Sequence, residues 1–366
     1  MSASPLAGRV LTAQGWRDGA FRLDGDRVGA WVDGDAPGDR LVLPGFVDLH
    51  VHGGGGADVM DGAEGVAATA AFHLRHGTTA LCPTTVTRPP GELLAAVRAA
   101  GEVQADPARA RLLGVHLEGP FLAPTRLGAQ PPHARDPDPA LMDALLAAGP
   151  VAIVTLAPEL PGALALIRSL RARGVRVGLG HSDCAASVAR EAFAAGAAGA
   201  THLFNAMSGL HHRAPGLAAA ALEAEGVIHE LILDGQHVDP SLARIALRAL
   251  PPTSRLALVS DAIRAAGLPD GPTELGGQRV EVRAGRATLA DGTLAGSVLT
   301  LDRALRNAVD AGVPLEEASA LLSRNPADAL GRGDLGRLEP GAFADAVVLD
   351  RGTLDLVAVI RGGVAG

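Results

Sequence analysis

Histidines and carboxylates recur in this chain at the ends of apolar runs. They are His50-Val51-His52, His116-Leu117-Glu118, His181-Ser182-Asp183, Thr201-His202, His237 and the aspartate that ends Leu256-Ala257-Leu258-Val259-Ser260-Asp261. His50 and His52, two apart on a strand, face one side and can share a metal ion; a structural role for such a pair is as common. Glu118 precedes Gly119-Pro120, and a carboxylate at a buried strand end is costly unless it meets a metal or an arginine. His181 and His202 can point at one metal, or each can be a hydrogen-bonded core histidine. Asp261 can be a general base or the N-cap of a following helix. Together, Glu/His/His leaves an open position on a divalent cation, and such a cation lowers the pKa of bound water from 15.7 to about 7. With Asp261 nearby to move a proton, this is the chemistry of a hydrolase.

Those residues need a scaffold that brings distant strand ends together. Short β-branched runs at 46–52, 78–86, 112–118, 151–157, 175–181, 200–205, 230–237 and 256–261 alternate with Ala/Leu-rich stretches of helical spacing, among them 63–76, 92–104, 162–173, 185–195 and 241–250. Near-continuous apolar strands alternating with helices predict a parallel sheet, and eight such units predict a closed (β/α)8 TIM barrel over 45–334. Barrel enzymes place their chemistry at the C-terminal strand ends, where these polar residues fall, apart from Thr201-His202, which opens its run. Residues 1–44 and 335–366 read instead as short β-strands, neither set able to bury a core alone. They are expected to pair as one small β-sandwich domain. A hairpin is expected at 278–289, in the last barrel loop. His73, His76, His133 and His229 read as surface or core histidines, Cys184 as a small buried hydrophobe, and Gly53–Gly56 as a mobile loop.

Composition removes several alternatives. The 366 residues carry 32 arginines and no lysine against 40 acidic groups, a net charge of −8. Without lysine there is no Schiff base, no pyridoxal-phosphate anchor, no phosphate-loop lysine and no carboxylated lysine bridging two metals. An acidic chain with seven Phe, two Trp and no Tyr is poorly suited to nucleic acid. Two cysteines make no disulfide framework, and neither a signal peptide nor a membrane span is evident, so a cytoplasmic protein with no membrane partner is expected.

The same residues carry a resemblance. The blocks Pro44-Gly45-Phe46-Val47-Asp48-Leu49-His50-Val51-His52-Gly53, His116-Leu117-Glu118-Gly119-Pro120-Phe121, Gly180-His181-Ser182 and Thr201-His202-Leu203-Phe204-Asn205-Ala206-Met207 resemble the amidohydrolase superfamily. So do Asp234-Gly235-Gln236-His237-Val238, Val259-Ser260-Asp261-Ala262 and Leu294-Ala295-Gly296-Ser297, the middle blocks being similar to those of the N-acetylglucosamine-6-phosphate deacetylases. The resemblance implies that Glu118, His181 and His202 hold the principal metal and that His50 and His52 add a second position, giving one or two divalent ions per subunit. Zinc is the first expectation, with iron, manganese or cobalt able to use the same donors. It further implies Asp261 as acid/base, and Asn205, Ala206, Arg213 and His237 on an amino-sugar phosphate, with Ala129, Gln130 and the loop Leu294, Ala295, Gly296 closing over it. Some members carry His at the position of Gln130. The matching arginine of relatives crosses a dimer interface, so a homodimer with Arg213 reaching the neighbouring active site is implied. The expected reaction is hydrolysis of the acetamide of N-acetylglucosamine 6-phosphate. Alternatives are the galacto epimer, another amidohydrolase substrate, which Arg213 and Asn205-Ala206 oppose, and a non-catalytic amino-sugar-phosphate sensor, which Asp261 opposes.

Overall fold

A computed structural model describes residues 4–34, 39–250 and 256–365. The expected small β domain extends into positions 1–3, 35–38 and 366, which lie outside the described residues. Eight parallel strands form the barrel: β1 (Phe46–Val51), β2 (Thr78–Thr85), β3 (Val115–Glu118), β4 (Val151–Leu156), β5 (Arg176–Leu179), β6 (Gly199–Ala200), β7 (His229–Leu231) and β8 (Leu256–Leu258). Strands β1 to β6 pair in sequence order, and β7 pairs with β8. Two seams close the ring. Between β6 and β7, the Leu203 amide donates to the Glu230 carbonyl at 2.8 Å and the Ile228 amide to the Ala198 carbonyl at 3.0 Å. Between β8 and β1, the Asp261 amide donates to the His50 carbonyl at 2.9 Å, and Val51 bridges Ala262 in parallel.

The helices follow from apolar spacing and capping. Pro139 and Pro240 occupy first-turn positions after Asp138 and Asp239, whose carboxylates accept the free amides of that turn. Each helix lays its apolar stripe on the outer face of the strands. Phe46, Leu49, Leu81, Leu117 and Ile153 on these strands are fully buried, each worth about 1.5–3 kcal/mol relative to exposure.

The terminal segments form one seven-stranded sheet, in the order Val364–Ala365, Leu356–Arg361, Ala346–Asp350, Arg40–Pro44, Ala7–Thr12, Gly15–Asp24, Arg27–Asp33. Its two ends turn back towards each other. Val28 exchanges backbone bonds with Gly341 and Ala342, and the Gly363 amide donates to Ala344. The enclosed core contains Leu6, Val10, Phe21, Val42, Leu338 and Ile360. The strand Arg40–Pro44 runs on into β1 through Gly45, where a Cβ would collide with the Thr79 side chain.

Four strand expectations shorten in the same way. Residues 175–181, 200–205, 230–237 and 256–261 leave the ladder early, because their C-terminal halves turn inward over the barrel mouth. His181 (φ 48°), His202 (φ 31°), Phe204 (φ 80°), Ala206 (φ 49°) and Asp261 (φ 49°) all adopt left-handed backbone, a cost that clusters at functional sites. The insertion expected as a hairpin is a three-stranded antiparallel sheet, Gly271–Leu275, Gln278–Arg283 and Arg286–Thr288, seated beside the mouth. Gly53–Gly56 is no free loop: Gly53–Gly54 pairs with Ala57–Asp58, and the amides of Gly53, Gly55 and Gly56 donate to Ala262, Ala266 and Arg264 carbonyls.

Candidate metal centre and active site

Glu118 ends β3 at the floor of the mouth, 2 % exposed, and no arginine among the described residues meets it. One of its oxygens, Oε1, lies 3.0 Å from both His181 Nε2 and His202 Nε2, and those two nitrogens are 3.1 Å apart. Its other oxygen is 3.3 Å from His52 Nε2. The Nε2 atoms of His50 and His52 stand 3.2 Å apart, with Asp261 Oδ1 at 3.5 Å and 3.1 Å respectively. Ring nitrogens aimed at one another and at shared carboxylates repel unless a cation lies among them, which is the donor arrangement of a metal centre. Two overlapping sets satisfy this description: Glu118/His181/His202 and His50/His52/Glu118.

The remote nitrogens set the tautomers. His52 Nδ1 faces the Thr84 carbonyl at 3.1 Å and His181 Nδ1 the Arg126 carbonyl at 2.8 Å, so each donates there and leaves Nε2 a lone pair for the centre. His202 Nδ1 is buried without a hydrogen-bond partner among the described residues.

Electrostatics point the same way. Burial opposes charge on Glu118, yet His50, together with the close ring nitrogens of His181 and His202, holds its carboxyl well below the usual range. Burial likewise opposes charge on Asp261, but His50 and His52 bring it to about 2. Conversely, Asp261 and Glu118 overcome the burial of His52 and raise it to about 9. The centre therefore has a strong affinity for positive charge, whether protons or metal.

Above it lies a cavity of about 340 Å³ lined by His52, Glu118, His181, His202, Asp261, Ala129, Gln130, Asn205, Ala206, His237, Leu294 and Gly296 among others. His50 is wholly buried beneath it. His237 Nδ1 meets Asp234 Oδ2 at 2.7 Å, leaving Nε2 free. Burial would lower the His237 pKa, but Asp234 raises it above the ordinary value. Three expected residues fall differently. Ala295 is buried in the cluster of Ile263 and Val280 rather than on the cavity wall. Gln130 lines the cavity, yet its amide is engaged: Nε2 donates to Glu118 Oε2, and Oε1 accepts the Thr87 amide at 2.6 Å. Arg213 is exposed and outside its own chain's cavity. The helix cap considered for Asp261 is also absent, since no helix starts there.

Glu230, Thr84, Thr125, Arg126 and Thr293 were not anticipated at the site. Glu230 carried a usable signal, a lone carboxylate in His229-Glu230-Leu231-Ile232-Leu233, where burial demands a partner. Backbone acceptors such as Thr84 and Arg126 carry none, because every residue has a carbonyl. Expected background residues stay there: His73 donates from Nε2 to the Gly53 carbonyl, His229 Nδ1 accepts the Ala200 amide, and Cys184 is buried.

A barrel with histidines and carboxylates gathered at its C-terminal mouth defines a metal-dependent barrel hydrolase. The chain belongs to the amidohydrolase family, whose sequence model matches residues 41–364. It is 42 % identical over 361 residues to the N-acetylgalactosamine-6-phosphate deacetylase of Escherichia coli O157:H7, covering 94 % of each chain. It is 39 % identical to the N-acetylglucosamine-6-phosphate deacetylase of Bacillus subtilis, covering 90 % of this chain and 86 % of the relative. The solved N-acetyl-D-glucosamine-6-phosphate deacetylase of Mycobacterium smegmatis superimposes with a TM-score of 0.91 at 40 % identity, covering 98 % of each chain. A mutant of that enzyme has been solved in complex with N-acetyl-D-glucosamine-6-phosphate.

Proposed function

We propose that this enzyme hydrolyses the acetamide of N-acetyl-D-glucosamine 6-phosphate, releasing acetate and D-glucosamine 6-phosphate in amino-sugar metabolism. The observation that carries the reading is Asp261 on the wall of the cavity that also exposes Glu118, His181 and His202, in a chain so similar to deacetylases of this substrate. Glu118, His181 and His202 fit a divalent cation, with zinc the proposed occupant and His50/His52 a second position. Such an ion polarises the acetamide carbonyl and acidifies water.

The chain's own groups do the rest. Asp261, held ionised, accepts the proton of the attacking water and delivers it to the departing amine nitrogen as the C–N bond breaks. His237, fixed by Asp234, directs Nε2–H at developing or permanent negative charge on the substrate. Asn205, Ala206, Ala129 and the 294–296 loop enclose the sugar, and Gln130 holds Glu118 in place. Arg213 serves the phosphate of the neighbouring subunit in a homodimer, its planar fork suiting the two-point contact. Residues 45–334 form the catalytic barrel, with 1–44 and 335–366 as its supporting β domain, in a cytoplasmic protein.

The test is acetate release by metal-loaded protein from N-acetylglucosamine 6-phosphate, its galacto epimer and the unphosphorylated sugar. Hydrolysis of the phosphorylated gluco sugar but not the free sugar supports the reading. The 42 % identity to the galacto enzyme favours the epimer as second reading, and faster release from that sugar would select it. No release from any of the three sinks both.

A further inference from the structure

His50 differs from the three other candidate metal-binding histidines, His52, His181 and His202, in what holds its far nitrogen. Its Nδ1 is 3.1 Å from Glu230 Oε2, and the two residues are 0 % and 3 % exposed. His52 and His181 lean on neutral carbonyl oxygens; His50 leans on a carboxylate. Nor is Glu230 committed elsewhere among the described residues. The nearby Arg176 spends its donors on the carbonyls of Ala198, Ala329 and Ile228. His116 packs edge-on against His50 with ring centroids 4.6 Å apart. Its Nδ1 faces the Leu49 carbonyl at 3.0 Å and its Nε2 the Thr155 hydroxyl at 2.8 Å. Although His50, His116 and Glu230 lie close enough to suggest a third donor set, both ring nitrogens of His116 are engaged, Nδ1 by the Leu49 carbonyl and Nε2 by the Thr155 hydroxyl.

From this geometry we infer that Glu230 is the positioning residue of the second metal position, holding His50 as the tautomer whose Nε2 joins His52, Glu118 and Asp261. A carboxylate behind a metal-binding imidazole fixes ring orientation and makes the ligand more basic. It also alters the charge balance of the buried centre. Two divalent cations bring four positive charges; Glu118 and Asp261 return two and Glu230 a third, while the buried Asp48 carboxylate and Arg176 guanidinium close by are of opposite sign and offset one another. One cation is adequately matched without Glu230, so this third carboxylate favours occupancy of the second position. A buried carboxylate behind only one of the four ring ligands is explained by a position that needs extra charge. The inference rests on the metal-dependent hydrolase reading, but its readout is independent of acetate release.

The experiment is cobalt(II) titration of metal-free protein, read by visible absorption and by the magnetic coupling of adjacent ions. Wild type is expected to take up two equivalents and show coupling. Glu230→Gln keeps the shape and an acceptor but removes the charge. It should bind the first ion as wild type does and the second about 10- to 100-fold more weakly. Glu230→Leu should lose the second equivalent. If Glu230→Leu does not fold, the Gln variant and the ¹⁵N shifts of wild-type histidines carry the test, with His50 metallated at Nε2 and protonated at Nδ1. A second equivalent bound equally tightly by Glu230→Gln and wild type, or a single equivalent in wild type, overturns the assignment. Two-ion binding without hydrolysis of any amino-sugar phosphate would instead reject the substrate reading and leave Glu230 in its role.

Discussion

His181 Nε2 and His202 Nε2 stand 3.1 Å apart over a single oxygen of Glu118, although 21 residues separate them and they follow different strands. With both lone pairs turned inward, the two nitrogens repel unless a proton or a metal ion lies between them. Chelation should therefore lower the melting temperature, and stoichiometric zinc should restore it. His202→Asn should hold well under one equivalent of tightly bound metal by elemental analysis. Full occupancy in that variant would remove His202 from the ligand set.

Asp261 Oδ1 lies beside His52 and His50 and faces the cavity. As proton carrier it should contribute rate without being essential for the principal metal. Asp261→Asn is expected to retain metal at the Glu118/His181/His202 position and lose about 10²- to 10⁴-fold in kcat. Near-normal turnover would reassign the proton transfer.

His237 owes its raised pKa to Asp234. A protonated imidazole binds phosphate or an oxyanion better than a neutral one, so KM for the phosphorylated sugar should rise as pH climbs past that pKa. Asp234→Asn removes the raising charge, and the same limb should then shift to lower pH. A pH profile of kcat/KM that is identical in the two proteins would exclude His237 from substrate binding.

Arg213 is exposed and away from its own chain's cavity. If it acts across a two-fold interface, mixing Arg213→Ala with Asp261→Asn subunits creates hybrids with one intact site. About a quarter of wild-type activity should return after subunit exchange, where each parent alone is nearly inactive. No recovery in verified hybrids would place Arg213 outside the neighbouring site.

Gly199 on β6 lies against the Ile228 carbonyl, where a Cβ would strike the backbone of the seam to β7. Gly199→Ala should destabilise by about 1–3 kcal/mol, seen as a lower denaturant midpoint. An unchanged midpoint would mean that the seam can open at little cost.

The barrel was legible because two periodicities run through the chain, apolar strands such as 151–157 and amphipathic helices such as 163–172, and only a few folds bury both. The helices at 63–74 and 186–195 begin and end close to where their apolar spacing predicts. His50, His52, Glu118, His181, His202 and Asp261 were legible for a related reason: a polar residue closing an apolar strand has to be satisfied by something at the barrel mouth.

What the sequence by itself determined, then, was which residues reach the mouth, since alternation along a strand and burial are local properties. Tertiary structure alone decided how they meet there. The 3.0 Å approach of His181 and His202 to one Glu118 oxygen depends on left-handed backbone at both histidines. The engagement of Gln130 with Glu118, the withdrawal of Ala295 into the core and the pairing of Glu230 with His50 across 180 residues depend on ring closure. Such contacts between distant segments are set by the summed geometry of eight strands, which no local spacing encodes.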